Sequence, residues 1–182
     1  MLKRTMFIAA VSLVSITSIQ KTFAKDEKDK TTIERPSASG VSNVDAYMEK
    51  AFETYDESLK ITHDINFIKV EIKEIAPGKD GATTEAKITN GDGKELNKTD
   101  ALIQLGSLLT RAMKQNENIK ALIELQKSAS EGVKSAPMMK KPKATKEYGA
   151  AADAQAFTVA ETKKQIDLIN QQISTLKAIK NN

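Results

Sequence analysis

Large apolar residues recur every three or four positions along three stretches of this chain. That spacing restricts it to long helices that each hide one side from water. Val44, Met48, Phe52, Tyr55 and Leu59 form the first row, continued after a small phase slip by Ile61, Ile65, Ile68, Ile72 and Ile75. Leu102, Leu105, Leu109, Ala112, Asn116, Ile119 and Ile123 form the second, widened by Leu108, Met113, Leu122 and Leu125. Ile166, Ile169, Ile173, Leu176 and Ile179 form the third, behind an alanine-rich stretch that permits close packing. The expected fold class is all-α: an antiparallel three-helix bundle, or coiled-coil-like long helices with two long loops. The helices are placed at about 43–76, 99–131 and 150–180.

Local signals set these boundaries. Ser42, with Asp45 three residues on and Val41 just outside, reads as an N-cap with an acidic partner and an apolar staple. Pro77-Gly78 is a stop signal. The run Ile68-Lys69-Val70-Glu71-Ile72-Lys73 also alternates strictly and is β-branched, so a small β-hairpin near 66–90 competes with the end of the first helix. Thr99 or Asp100 can cap the second helix, which should fade at Ser130 to Gly132. Gly106 in its interior costs about 1 kcal/mol against Ala and points to a close helix approach. A second connection is expected from Val133 to Gly149, broken by Pro137 and Pro142.

The N-terminus carries an export signal in its layout. Lys3 and Arg4 precede an apolar stretch from Met6 to Ile19, which is too short and serine-rich for a span of roughly 20 apolar residues. Thr22-Phe23-Ala24 offers small residues at both positions a signal peptidase reads, so cleavage is expected near Ala24 and localisation in the periplasm or outside the cell. The chain then divides into a signal peptide (1–24), a disordered or extended charged leader (25–41) and a helical domain (42–182). Of 28 basic and 24 acidic residues, Lys3, Arg4 and Lys21 leave with the signal, and 25 against 24 remain. The basic character of the full chain is therefore largely a property of the signal, and steering toward polyanions has no support. With no cysteine or tryptophan, Ile, Leu, Val and Ala are expected to carry the core.

Residues that usually carry chemistry are scarce. Cysteine nucleophiles are excluded, and the single histidine, His63, falls mid-helix with no glycine-flanked serine resembling a nucleophile elbow. No second histidine stands four positions away, so no metal or cofactor is expected. Glu53 and Glu57 share a helix face and read as solvated. Asn90-Gly91-Asp92-Gly93-Lys94 imitates the middle of an EF-hand loop, but Ile88 and Thr99 fall where that loop needs acids, which leaves a tight Asn-Gly turn. Asn97-Lys98-Thr99 matches a glycosylation sequon. Lys120 and Glu124, Lys127 and Glu131, and Lys163 and Asp167 stand four apart, as on solvated outer faces.

Two features point to binding. Lys134, Lys140, Lys141, Lys143 and Lys146 surround Met138 and Met139 with no acidic residue among them, which fits contact with an anionic surface. Asn116 sits in an apolar row, where an Asn can fix register or oligomer state. The expected function is that of an exported, non-catalytic helical interaction protein: a periplasmic or secreted adapter, adhesin-like subunit or holdase, with a protein partner or self-association. The alternative is a membrane-surface or small-ligand binding module using the lysine-rich loop 133–146, with anionic lipid as partner. Nucleic acid is not expected, since no aromatics interleave with the lysines.

Overall fold

A computed structural model of the chain describes residues 32–74 and 84–178. The elements are α1 (Ser42–Phe67), β1 (Ile68–Glu74), β2 (Thr84–Asn90), α2 (Lys98–Ser135) and α3 (Lys141–Ala178). At 1.5 Å per residue α1 is about 39 Å long and α2 and α3 about 57 Å each. Contacts give their directions. Thr54 of α1 meets Gln115 of α2 while Val44 meets Gly132, so these two helices are antiparallel. Ser39 meets Glu147 and Ser58 meets Gln165, so α3 runs parallel to α1. The result is an up-down-up three-helix bundle with a small antiparallel hairpin between α1 and α2. The expected signal peptide (1–24) and the first part of the leader lie outside the described residues.

The first helix stops earlier than its apolar row suggests. Expected to about residue 76, α1 ends at Phe67, and the hairpin near 66–90 forms instead. The reason is local: the alternating run from Ile68 finds a partner in β2, with Ile68 opposite Asn90, Val70 opposite Ile88 and Glu74 opposite Thr84. Ile68 and Ile88 are then buried against the bundle. Ile75 and Pro77-Gly78 lie outside the described residues. The Asn-Gly turn closes as a side-chain turn, with Asn90 Oδ1 accepting from the Asp92 and Lys94 amides at 3.1 and 2.9 Å. Gly91 is required there, because a Cβ would overlap the Phe67 ring.

The caps also differ from expectation. Val41, not Ser42, is the N-cap of α1 and supplies no side-chain bond, and Asp45 reaches back to Ser39 instead. Asn97 caps α2, its Oδ1 accepting from the Asp100 amide at 2.8 Å. The expected break between 131 and 150 shrinks to Ala136–Lys140, because α2 continues to Ser135 and α3 already starts at Lys141. Pro142 does not interrupt α3: it lies in the first turn, where its missing N–H has no helical partner to lose. The close approach expected at Gly106 occurs at Gly132, where a Cβ would stand 3.3–3.4 Å from Asn43, Val41 and Val44, while Gly106 faces open space.

The core has two parts. Toward the α2–α3 turn, Tyr47, Met48, Phe52 and Tyr55 pack on Leu122 and on the alanines Ala144, Ala151 and Ala154, with Ile33, Tyr148 and Phe157 beside them. Toward the hairpin, Ile61, Ile65, Ile68 and Ile88 pack on Leu105, Leu108, Ile169 and Leu176. The first part corrects the expectation of an all-aliphatic core. Few as they are, the aromatics gather there, with Phe157 edge-on to Tyr55 at 5.0 Å and Tyr148 at 5.7 Å from Tyr47.

Candidate interaction site

Residues expected to bind anionic surfaces end up at one extremity of the bundle. Lys134 lies in the last turn of α2. Met138, Met139 and Lys140 form the connecting turn, closed by the Lys140 and Lys141 amides donating to Pro137 O at 2.8 and 3.0 Å. Lys141, Lys143 and Lys146 stand on the first turns of α3, so the expected loop 133–146 is a tight turn between two helix ends. All five lysines are exposed. Met138 and Met139 are 89% and 95% exposed, well above every other exposed large hydrophobic among the described residues.

Asn116 is exposed rather than seated in the core: Leu105 and Ala112 are buried as expected, but in the turn between them and Leu122 it is Gln115 that faces inward. Leu105, Leu108, Ala112, Gln115 and Leu122 face inward. Asn116 instead lines a shallow groove on the outer side of α2 and α3, with Ile119, Val159, Lys163, Ile166 and Asp167. Ile123 and Met113, also expected in or beside the row, are exposed on α2, and Val159 is exposed on α3.

The buried polar residue of that turn is Gln115, whose Nε2 donates to Thr54 O at 2.9 Å. One turn along α1, Gln165 of α3 donates to Ser58 O at 2.7 Å and to Thr62 Oγ1 at 2.8 Å. Thr62 Oγ1 in turn donates to Glu161 Oε1 at 2.9 Å. Arg111 spans Glu57 and Asp64 at 2.9 and 2.6 Å, so Glu57 is ion-paired rather than simply solvated. Together these form a polar belt between the two parts of the core. Each bond is made at one register only, which ties the helices lengthwise as apolar packing alone would not.

A second buried polar cluster closes the aromatic end. Segment 32–41 is extended and lies on the bundle, with Ile33 against the core and Arg35 over the Phe52 ring at 5.6 Å. Ser39 is buried, and its amide donates to Asp45 Oδ1 at 2.9 Å and to Glu147 Oε2 at 2.8 Å. The Ser39 hydroxyl and the Gly40 amide also donate to Asp45 Oδ1, and Lys140 Nζ donates to Gly40 O. Burial favours the neutral form of both carboxyls. For Asp45, the bonds from Ser39, Glu147 and Gly40 overcome it, and the pKa falls below the ordinary value. For Glu147, burial and the neighbouring Asp45 charge prevail over the Ser39 bonds, and the pKa rises. Of this pair Glu147 is therefore the weaker acid and Asp45 the stronger. Burial likewise raises the pKa of Tyr47, keeping its hydroxyl a donor to Gln155.

Reading the sequence for apolar rows misses Ser39, Asp45, Glu147, Gln115 and Gln165. The available signal was spacing without regard to polarity, since Ala144, Glu147, Ala151, Gln155, Thr158, Thr162, Gln165 and Ile169 repeat every three or four positions. Among the described residues no three His, Cys, Asp or Glu side chains are grouped to hold a metal ion, and no helix is long and apolar enough to cross a membrane. No family model matches the chain, nor does any curated protein or solved structure with which it was compared.

Proposed function

We propose that this chain is an exported, non-catalytic helical interaction protein, of the adapter, adhesin-like or holdase kind, working in the periplasm or outside the cell. One observation carries the reading: the outer side of α2 and α3 leaves Met113, Ile123 and Val159 exposed around a groove that Asn116 lines. A helix laid along that groove would cover them, as a fourth helix does in a bundle. A second copy is the occupant that fits most directly, because a two-fold contact needs only a face that complements itself. Lys163 and Asp167, of opposite sign on one groove wall, allow such pairing, and Asn116 would face its counterpart where a polar residue sets partner number. Export is supported by the N-terminal layout, with Lys3 and Arg4 ahead of an apolar stretch and small residues up to Ala24.

Sedimentation of the exported chain across a concentration series tests the reading. Reversible association that Val159→Glu abolishes is the expected result, with Asn116→Leu strengthening association or changing its stoichiometry. A monomer at every concentration that also captures no envelope protein would overturn it. Mass analysis of the recovered chain should show a start near Lys25.

A further inference from the structure

The apex between α2 and α3 carries two features that are unfavourable in water. Met138 and Met139 stand side by side, almost entirely solvated, on a turn closed by its own backbone. Around them Lys134, Lys140, Lys141, Lys143 and Lys146 are exposed, with no carboxylate in the sequence from Val133 to Lys146. The first turn of α3 holds no acid, although a helix start favours anions and disfavours cations. A sequence that breaks two local rules at one place, with no packing gain there, marks a functional position. Two acids flank this run along the chain. Glu147 is buried on Ser39, and Glu131 lies a turn back along α2.

We infer that this apex is a docking tip for an anionic membrane surface, distinct from the α2–α3 groove and independent of what that groove binds. The lysines supply attraction to lipid phosphates, and the methionines supply insertion into the boundary between head groups and acyl chains. Shape decides among anionic partners. The methionines stand almost fully solvated on a tight turn, so a surface that yields covers them readily, whereas a folded acidic protein would need a matching pocket. Nucleic acid gives no gain for thioethers, and no aromatic side chain accompanies the lysines for stacking. Lys140 also holds Gly40 O at 3.0 Å, which anchors segment 32–41 beneath the tip.

The chain lacks tryptophan, so Met139→Trp places a reporter at the tip alone. The exported protein carrying it should show blue-shifted emission, quenched by brominated lipid, with vesicles containing phosphatidylglycerol but not with phosphatidylcholine alone. Lys141→Gln, Lys143→Gln and Lys146→Gln together leave the Lys140 contact intact. They should weaken co-sedimentation with the anionic vesicles roughly a hundredfold to a thousandfold, at about fivefold to tenfold per lysine. Met138→Ser with Met139→Ser should weaken it about tenfold, as for two side chains each about half buried at the interface. Circular dichroism of each variant should match the parent. Unshifted emission on anionic vesicles, or lysine variants that bind undiminished, would overturn the inference. Serine variants that bind as tightly as the parent would also overturn it, since they would show charge contact without insertion.

Discussion

The two parts of the core solve the same packing problem in opposite ways. At the hairpin end, isoleucines and leucines from α1, α2, α3 and the strands interdigitate at similar size. At the apex end, large aromatics of α1 face alanines of α3, and the outlying segment 32–41 adds Ile33 and the Ser39 cluster. Even packing tolerates small shifts of register. Large-on-small packing tolerates them less, because a shift brings a ring against a position that lacks room for it. The apex end is therefore the more specified half, and the end that presents the lysines and methionines is also the one held by Glu147 and Asp45.

Truncation in each half should separate the two strategies. Phe52→Ala should cost about 3–5 kcal/mol and Ile65→Ala about 2–5 kcal/mol in urea unfolding. Hydrogen exchange should place the loosening at segment 32–41 and the first turns of α1 for Phe52→Ala, and at the hairpin for Ile65→Ala. Loosening spread evenly over both halves in both variants would show that the core is one undivided unit. Next in size, Gln115→Ala should cost about 0.5–1.5 kcal/mol, the net worth of its bond to Thr54 O, which keeps its own helical donor. If the belt sets register, Gln115→Leu should keep most of the stability while broadening the side-chain signals of the aromatic half.

The smallest expected effect is a pH dependence confined to the apex end. Glu147 has a raised pKa, so its contribution is fully present below the ordinary carboxyl value of 4.5 and is lost as pH rises through the raised one. Asp45 has a lowered pKa, so its contribution is present above 3.8 and lost as pH falls through its lowered value. Exchange protection of the Ser39 to Asp45 amides should decline above the Glu147 transition, and Glu147→Gln should remove that decline. An unchanged profile in Glu147→Gln would assign the proton elsewhere.

Much of this fold was legible in the residues, and the misses have physical causes. The α1 row from Val44 to Ile65 is buried as its spacing indicated, except for the half-buried Leu59, because no second apolar row competes with it. Along α2 two rows overlap, one through Asn116 and Ile119 and the other through Gln115 and Leu122. Hydropathy favours the first, yet the second is buried because Gln115 can bond to α1. The start of α3 was hidden by Pro142 and by lysines, both poor signals for a helix whose first turns are buried through Ala144 and Glu147. Segment 32–41 offered only Ile33 to hydrophobic reasoning, and what holds it are two carboxyls more than a hundred residues apart in sequence. The exposed methionines, by contrast, could be read directly from their setting among lysines.

Contact through the outer α2–α3 face, as proposed above, can be tested in place. Photo-crosslinking amino acids placed singly at Ile123, Val159 and Glu49 in the native cell envelope test it most directly. Discrete adducts from Ile123 and Val159, with none from the exposed α1 position Glu49, are the result predicted. Adducts from all three alike, or from none, would contradict it.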